Sequence, residues 1–483
     1  MPFQSLRDYL QKVDEHGDLL KIDGADREEE IGALAETIAG TASHPMLLFD
    51  NIKGFPRGYR VSSNTMSGIR RMALGLGLDP NLPNVDLVKA WKDKLKTFKP
   101  LAPKKVKTGP VLENVFSGKD VDLVKFPAPK WHELDGGYYI GTGSCVFTRE
   151  AEAGWVNMGV YRVVVHDENT LGIFINHIHH ARLIVEKYWA RGESCPVVLS
   201  FGQEPALFLA AAQREPWGVE ELDVAGWLRG EPLEILTGER TGLPIPAHAE
   251  IVVEGEMPPI ERESRPEGPF GERTGYYATG VRNEPVVKVS RVMHRNDPII
   301  QGDPPLKPVP GMDHFGIPLP AAAVWSALEY AGVQDVRGVW LHGPFATVIA
   351  LKQRYEGHAR QAAAIALGVR ATLGMGRFVI LVDEDIDPSD LRDVFWAMTS
   401  RCDPATQTQV MHDFPTSDIN PRVAPEDREA GRFVASRIVI DACRPYRWLK
   451  EFPATNVMSQ EKKKQIAAKW HGVLDKLRRQ RGV

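Results

Sequence analysis

WVNMGVYRVVVHDENTLGIFINHIHH, residues Trp155–His180, decides the fold class. From Trp155 to His166 the β-branched and aromatic residues crowd as they do in a strand. Asp167-Glu168-Asn169-Thr170 is a turn, and Leu171 to Ile178 returns as the second arm of a hairpin. Alternation puts Asn157 and Arg162 on opposite faces, because their spacing is odd. They can serve one pocket if the strand bulges, for which Gly159 is the obvious place, or if they reach different parts of a large ligand. On the return arm, His177 and His179 would point the same way and could share a metal, with His180 turned to the other face or opening the next turn. Histidines hydrogen-bonded in a polar hairpin would give the same pattern.

Outward from this hairpin, short apolar runs broken by Gly, Pro, Asn and Asp extend from about Val111 to Val292, which predicts a β-rich domain. The flanks have a different rhythm. Towards the amino terminus, Ser5 to His16 reads as a helix with a Ser5/Asp8 capping box, closed by Gly17, then a strand over Leu19–Ile22. Glu28–Ala39 is a second helix and Pro45–Phe49 a buried strand, so roughly the first hundred residues are α/β. KLKTFKPLAPKKVKTGP, from Lys94, is a basic, proline-bearing connector. After Pro304 the α/β rhythm returns: helices over Ala321–Ala331 and His358–Arg370, a strand over Gly338–Leu351, and a parallel-type strand over Arg377–Val382. Asp383, Glu384, Asp385 and Asp387 cluster at its end, either beside a ligand or as caps. Ser459–Arg481 reads as an amphipathic helix with Ile466, Trp470, Val473, Leu474 and Leu477 on one stripe, suited to docking on a domain or a second subunit. Ala206–Ala212 is a short helix, and Glu220-Glu221 place acids at another helix start.

The chain has 483 residues, enough for two or three domains, with a formal charge of -4. A mildly acidic chain is not built to bind nucleic acid, and no apolar run reaches a membrane-spanning length. The amino terminus lacks the apolar stretch of a signal peptide. Cys145, Cys195, Cys402 and Cys443 are scattered without a CxxC pair, as in a cytoplasmic protein with reduced thiols.

The second landmark is Arg265–Tyr277, RPEGPFGERTGYY. Glu267 and Glu272 are separated by glycines and a proline, so the segment is a shaped loop that neither a helix nor a strand face aligns. The tyrosine pair could wall an apolar pocket. Two acids in such a pocket can be pushed to different pKa values, one ionised and one protonated at neutral pH. A surface turn with two solvated glutamates is the plain alternative.

Taken in order, SLRDYLQKVDEHGDLLKID from Ser5, MLLFDNIKG from Met46, NMGVYR from Asn157, AGWLRGEP from Ala225, EGPFGERTGYY from Glu267, RYEGHARQAA from Arg354 and VDEDIDPSDLRDVFWAMTSRCDP from Val382 resemble the UbiD-like decarboxylases. The resemblance implies an α/β domain over residues 1–110, a split β-barrel binding prenylated flavin mononucleotide over 111–305, a carboxyl-terminal α/β oligomerisation domain over 306–450, and a terminal helix over 451–483. It also implies a catalytic set of Arg162, Glu267 and Glu272. Glu272 would donate the proton at the carbon losing carbon dioxide, while Glu267 and Arg162 would form an ion-paired network around the substrate carboxylate. Asn157, His180 and Glu221 would bind a divalent manganese that bridges to the cofactor phosphate, with K+ as a further candidate ion. Met158, Tyr161 and His179 would line the cofactor, alongside Arg162 and the metal ligands.

Loss of carbon dioxide from an sp2 carbon leaves a carbanion that no side chain delocalises, so an electron-sink cofactor suits the chemistry. The expected protein is a reversible non-oxidative carboxy-lyase of an aromatic, heteroaromatic or α,β-unsaturated acid or its thioester. It would be a homodimer or homohexamer supplied by a flavin prenyltransferase. Arg162 would grip the substrate carboxylate with a forked contact. Two rivals carry different signatures: a flavin-free metal-dependent hydrolase or oxygenase using His177, His179 and His180, and a flavin-binding scaffold with no need for Glu267 and Glu272.

Overall fold

The computed structural model describes residues 3–41, 43–177, 179–213, 215–307 and 318–475. Helix α1, Leu6–Glu15, starts on the expected capping box: Ser5 Oγ accepts the Asp8 N–H at 3.3 Å while Asp8 Oδ2 accepts the Ser5 N–H at 3.0 Å. β1 (Leu19–Asp23), α2 (Glu30–Ala39), β2 (Met46–Asp50), β3 (Arg60–Ser63), α3 (Ile69–Gly75) and α4 (Asn84–Leu95) follow. The second helix begins two residues later than its periodicity suggests, because Asp26 Oδ1 accepts the N–H groups of Glu28, Glu29 and Glu30 at 3.1, 2.9 and 3.2 Å. β1 runs parallel to β2 and β2 antiparallel to β3. The basic connector holds one short strand, β4 (Lys104–Lys105).

The central region contains β5 (Asn114–Ser117), β6 (Tyr138–Gly141), β7 (Ser144–Arg149), β8 (Val156–Gly159), β9 (Arg162–Val165), β10 (Thr170–Phe174), α5 (His180–Trp189), β11 (Cys195–Phe201), α6 (Pro205–Ala212), α7 (Glu221–Arg229), β12 (Glu234–Thr237), β13 (Pro244–Pro246), β14 (Ile251–Met257), β15 (Ser264–Glu267), β16 (Arg282–His294) and β17 (Ile299–Gln301). β17 pairs with β3, so it completes the amino-terminal sheet. The main sheet runs β6-β9-β10-β16-β14-β11-β7-β8, with β15 and β5 also on the long β16. Its curl follows from the connections. β9 and β8 stand six inter-strand spacings apart in the order, about 29 Å if the sheet were flat. Yet only Val160 and Tyr161 join them, and three peptide units reach about 11 Å. The sheet must therefore close round into a half-barrel, and the core packed against it includes Tyr139, Ile173, Leu199, Val253, Phe270 and Val287.

This closure corrects the reading of Trp155–His166 as one strand. The chain leaves β8 at Gly159 and begins β9 at Arg162, next to the far edge of the order. Gly159 is a crossing point: a Cβ there would lie 2.5 Å from the Tyr161 hydroxyl. The hairpin itself stands, with Phe174 opposite Arg162 and Leu171 opposite Val165.

Beyond residue 317 come α8 (Pro318–Tyr330), β18 (Val336–His342), β19 (Ala346–Leu351), α9 (His358–Leu367), α10 (Arg370–Leu373), β20 (Phe378–Asp383), α11 (Leu391–Arg401), β21 (Thr408–Pro415), α12 (Pro425–Glu429) and β22 (Val434–Asp441). The order β18-β19-β20-β22-β21 has parallel pairs at its centre. Gly338–Leu351 is a hairpin instead of one strand, turned at Gly343 with φ 61°. The acidic cluster after β20 is structural. Arg401 on α11 binds Asp383 at 3.0 Å and Asp385 at 2.8 Å, and Asp387 accepts the Ser389 N–H.

Residues 444–483 form a second compact unit, whose helix α13 spans Gln460–Lys469 with Ser459 as its cap. Leu477 and Arg481 of the expected helix lie outside the described residues. The four cysteines are free thiols. Among the described residues no helix is long and apolar enough to cross a membrane.

Candidate active site

Three elements bring Arg162, Glu267 and Glu272 together: the start of β9, the end of β15, and the loop that follows it. Arg162 Nε donates to Glu267 Oε1 at 2.8 Å and Nη2 to Glu267 Oε2 at 2.7 Å, a forked ion pair. Nη1 donates to Glu272 Oε1, and Thr279 Oγ1 lies 3.4 Å from Nη2. All three charged side chains are buried. Tyr139 on β6 donates its hydroxyl to Glu267 Oε1 at 2.9 Å. Phe174 and Phe270 lie under the guanidinium at 4.2 and 5.1 Å from its Cζ.

Electrostatics separates the members of this set. Burial works against the charge of Arg162, but the two carboxylates outweigh it and raise its pKa further. Glu272 is pushed up by burial; Arg162 opposes the shift, and the charges of Glu267 and Asp418 reinforce it. The Nε–Nη2 edge of Arg162 is taken up by Glu267, and Glu272 occupies its Nη1 side.

The acid loop is held by backbone shape. Gly268 has φ 88°, and a Cβ on it would lie 2.3 Å from the Gly280 carbonyl oxygen. Glu272 N–H donates to Tyr276 O at 3.0 Å and Gly275 N–H back to Glu272 O at 2.8 Å. The tyrosine pair does not wall the site. Tyr276 is 60% exposed, and Tyr277 Oη accepts the Leu134 N–H. Tyr139, Phe174 and Phe270 take that place. Sequence reading missed them, together with Thr279 and Asp418, because Tyr139 stands in an ordinary YYIG strand whose partner is 128 residues away.

A second group of residues gathers at the β8 edge. α5 and α7 both pack on β8, and the two acids at the start of α7 cover its open N–H groups: Glu220 accepts from Val156 and Glu221 from Met158, at 2.9 and 2.8 Å. Asn157 is buried, and its Nδ2 meets no partner among the described residues. His180 is the first residue of α5, edge-on to Trp155 and Trp217 at 6.2 and 5.1 Å. Tyr161 is buried with its ring 5.5 Å from that of His179, and Met158 is buried beside them in sequence. Burial pushes the Glu221 carboxyl up to about 8, and burial and Arg370 lower His180. The oxygen of the Asn157 amide, a neutral imidazole and a buried carboxyl are donors that suit a hard divalent ion.

The histidine-pair reading is corrected. β10 ends at Phe174, short of the expected Ile178, which lies outside the described residues, so alternation does not govern His177, His179 and His180. His177 is exposed and its ring stacks on Phe433, His179 caps α5, and His180 faces the tryptophans. Among the described residues no three His, Cys, Asp or Glu side chains gather as a metal site.

Residues 10–91, 104–308 and 314–442 match the amino-terminal, Rift-related and carboxyl-terminal domains of the 3-octaprenyl-4-hydroxybenzoate carboxy-lyase family. The chain belongs to the UbiD family. A phenolic acid decarboxylase of Escherichia coli O157:H7 is 32% identical, covering 92% of this chain and 93% of that one. A pyrrole-2-carboxylic acid decarboxylase of Pseudomonas aeruginosa is 30% identical, covering 94% and 93%. Among solved structures, the UbiD-class enzyme HmfF from Pelotomaculum thermopropionicum in complex with FMN superposes with a TM-score of 0.82 at 26% identity, over 95% of this chain and 98% of that one. The UbiD family is one of carboxy-lyases, and the mixed α/β architecture around a strand-rich half-barrel is that of its solved members.

Proposed function

We propose that this UbiD-family protein is a non-oxidative, reversible decarboxylase of an aromatic, heteroaromatic or α,β-unsaturated carboxylic acid, using prenylated flavin mononucleotide. One observation carries the reading: a buried arginine joins two carboxyl groups of the acid loop within the family's core domain. Relatives of similar length are decarboxylases of phenolic and pyrrole acids, and HmfF has been solved with FMN and, in an evolved dimeric form, with prFMN.

The bound flavin supplies an electron sink for the carbon that loses carbon dioxide. Asn157, His180 and Glu221 would hold a divalent manganese at its phosphate, with K+ as an accessory ion, and Met158, Tyr161 and His179 would flank the cofactor. Glu267 fixes one edge of Arg162, leaving the Nη1 side for the substrate carboxylate once Glu272 swings away. Glu272 holds a proton more readily than an ordinary glutamate because it is buried, and delivers it to the carbon after carbon dioxide departs. Tyr139 keeps Glu267 in place. The working form is a cytoplasmic homodimer or homohexamer fed by a flavin prenyltransferase.

The test is protein co-produced with such a transferase and assayed on a panel of aromatic, heteroaromatic and cinnamate-like acids. Glu272→Gln should keep the flavin absorption and lose about 100- to 10,000-fold in turnover. No release of carbon dioxide by the loaded wild type from any acid, and no exchange of its labelled form into products, overturns the reading.

A further inference from the structure

Beneath the acid loop lies a histidine that the catalytic set does not use. His132 Nδ1 lies 3.2 and 3.0 Å from the two oxygens of Asp135, and Nε2 lies 2.7 Å from the Pro305 carbonyl oxygen. A carbonyl only accepts, so Nε2 carries a proton. A bare Nδ1 would turn its lone pair on a carboxylate, so Nδ1 carries one as well. The geometry satisfies both contacts only with the imidazolium.

The same carboxylate anchors the loop. Asp135 Oδ1 accepts the Gly271 N–H at 3.0 Å, and its Oδ2 accepts the His132 N–H at 3.0 Å. Gly136 N–H donates to Pro269 O at 2.8 Å. The ring is pressed against the loop: a Cβ on Gly271 would lie 2.7 Å from His132 Nδ1, and Phe270 stands edge-on at 5.7 Å. Glu272 is the next residue along. The imidazolium, the Asp135 carboxylate and the Gly271 amide therefore form a chain ending one peptide unit from the proposed proton donor.

We propose that His132, held as an imidazolium between Asp135 and the Pro305 carbonyl, is a positioning residue that sets where Glu272 stands and releases it when the ring loses a proton. The inference rests on the decarboxylase reading for its kinetic part alone. The groups around the ring are Asp135 and Glu133 on its own turn, Glu36 from α2, and Tyr277 from the acid loop at 6.4 Å; Asp303, near Pro305, turns instead to the Met66 N–H. Burial disfavours the charged ring, but Asp135, Pro305 and Glu36 outweigh it and raise the pKa. A neutral ring keeps one partner and abandons the other, which loosens the Gly271 anchor as pH rises.

Nitrogen-15 imidazole NMR of the full chain, with His132 assigned through His132→Gln, reads the ring without turnover. Both ring nitrogens should be protonated at pH 7, and one proton should leave at higher pH. In the loaded enzyme, kcat should fall with the same midpoint. His132→Gln should lose that step and lower kcat about 10- to 100-fold with KM within about twofold. A singly protonated ring at pH 7 overturns the proposal, as does a variant that lowers melting temperature while kcat and the step stay as in wild type. Should His132→Gln not fold, Asp135→Asn must move the step to lower pH, and an unmoved step overturns the proposal. An enzyme inactive on every acid would refute the decarboxylase reading and leave the NMR result standing.

Discussion

At the scale of single residues, Arg162 is tightly constrained. It satisfies two buried carboxyl groups and rests on two phenyl rings, so its role in shape cannot be separated from its role in charge. Arg162→Leu leaves Glu267 and Glu272 without their cation, and removing one partner of a buried ion pair costs about 3–5 kcal/mol. Chemical denaturation should register that loss. Arg162→Lys keeps the charge but not the planar fork. It should retain most of the stability and lose turnover, and a lysine variant as active as wild type would remove the fork from the mechanism. The pair Glu267 and Glu272 was legible from spacing and glycine content, whereas Asn157 and Arg162 were joined only by the family resemblance, since their odd spacing puts them on opposite faces of a strand. Tyr139, Thr279 and His132 were not, because each is marked only by a contact across the fold.

At the scale of elements, capped and strongly periodic helices such as α1, α2 and α9 were read well, since their periodicity, caps and dipoles lie within a dozen residues, whereas α3, α4 and α11 were not anticipated. α6 shows how such a start can carry a cost. Glu204 caps it through Oε2 to the Ala206 N–H at 2.9 Å, while Oε1 is buried without a partner among the described residues. Burial pushes its carboxyl up to about 7. The folded state thus holds a proton that the unfolded chain releases near the ordinary glutamate range, so this group's contribution falls as pH rises from about 4.5 towards 7. Glu204→Gln should flatten that fall in melting temperature between pH 5 and 8, and an unchanged slope would refute the assignment. Strands were read less well at their ends. The stretch after Phe174 is apolar enough to continue β10, but the chain turns into α5, and no local pattern announces that turn.

At the scale of the whole molecule, the carboxyl-terminal region reaches the site through Asp418. Its Oδ1 accepts from Asn176 Nδ2 at 2.5 Å, just beyond β10, and its charge helps keep the proton on Glu272. Asp418→Asn removes that charge. Glu272 then ionises at lower pH, so a proton donor's activity should decline earlier as pH rises. The pH profile of kcat in the His132→Gln background, where the imidazole step is gone, checks this: adding Asp418→Asn should bring the remaining decline to lower pH, and an unmoved decline contradicts the coupling. Neither residue belongs to any motif that spacing could connect, since 242 positions separate Asn176 from Asp418.

The amino-acid sequence by itself determined helices such as α1, α2, α6, α8 and α9, the Asp167–Thr170 hairpin, the glycine-shaped acid loop and the kinds of chemistry its residues can perform, because these depend on neighbours within a few turns of chain. Only the tertiary structure decided that β8 and β9 stand at nearly opposite ends of one sheet and that two residues bridge them. A two-residue bridge cannot span a flat sheet, so the sheet curls, and pairings across its strands bring Arg162 to Glu267 and Glu272 with His132 against the acid loop. Those contacts are long-range in the chain and short-range in space, and no local preference encodes them.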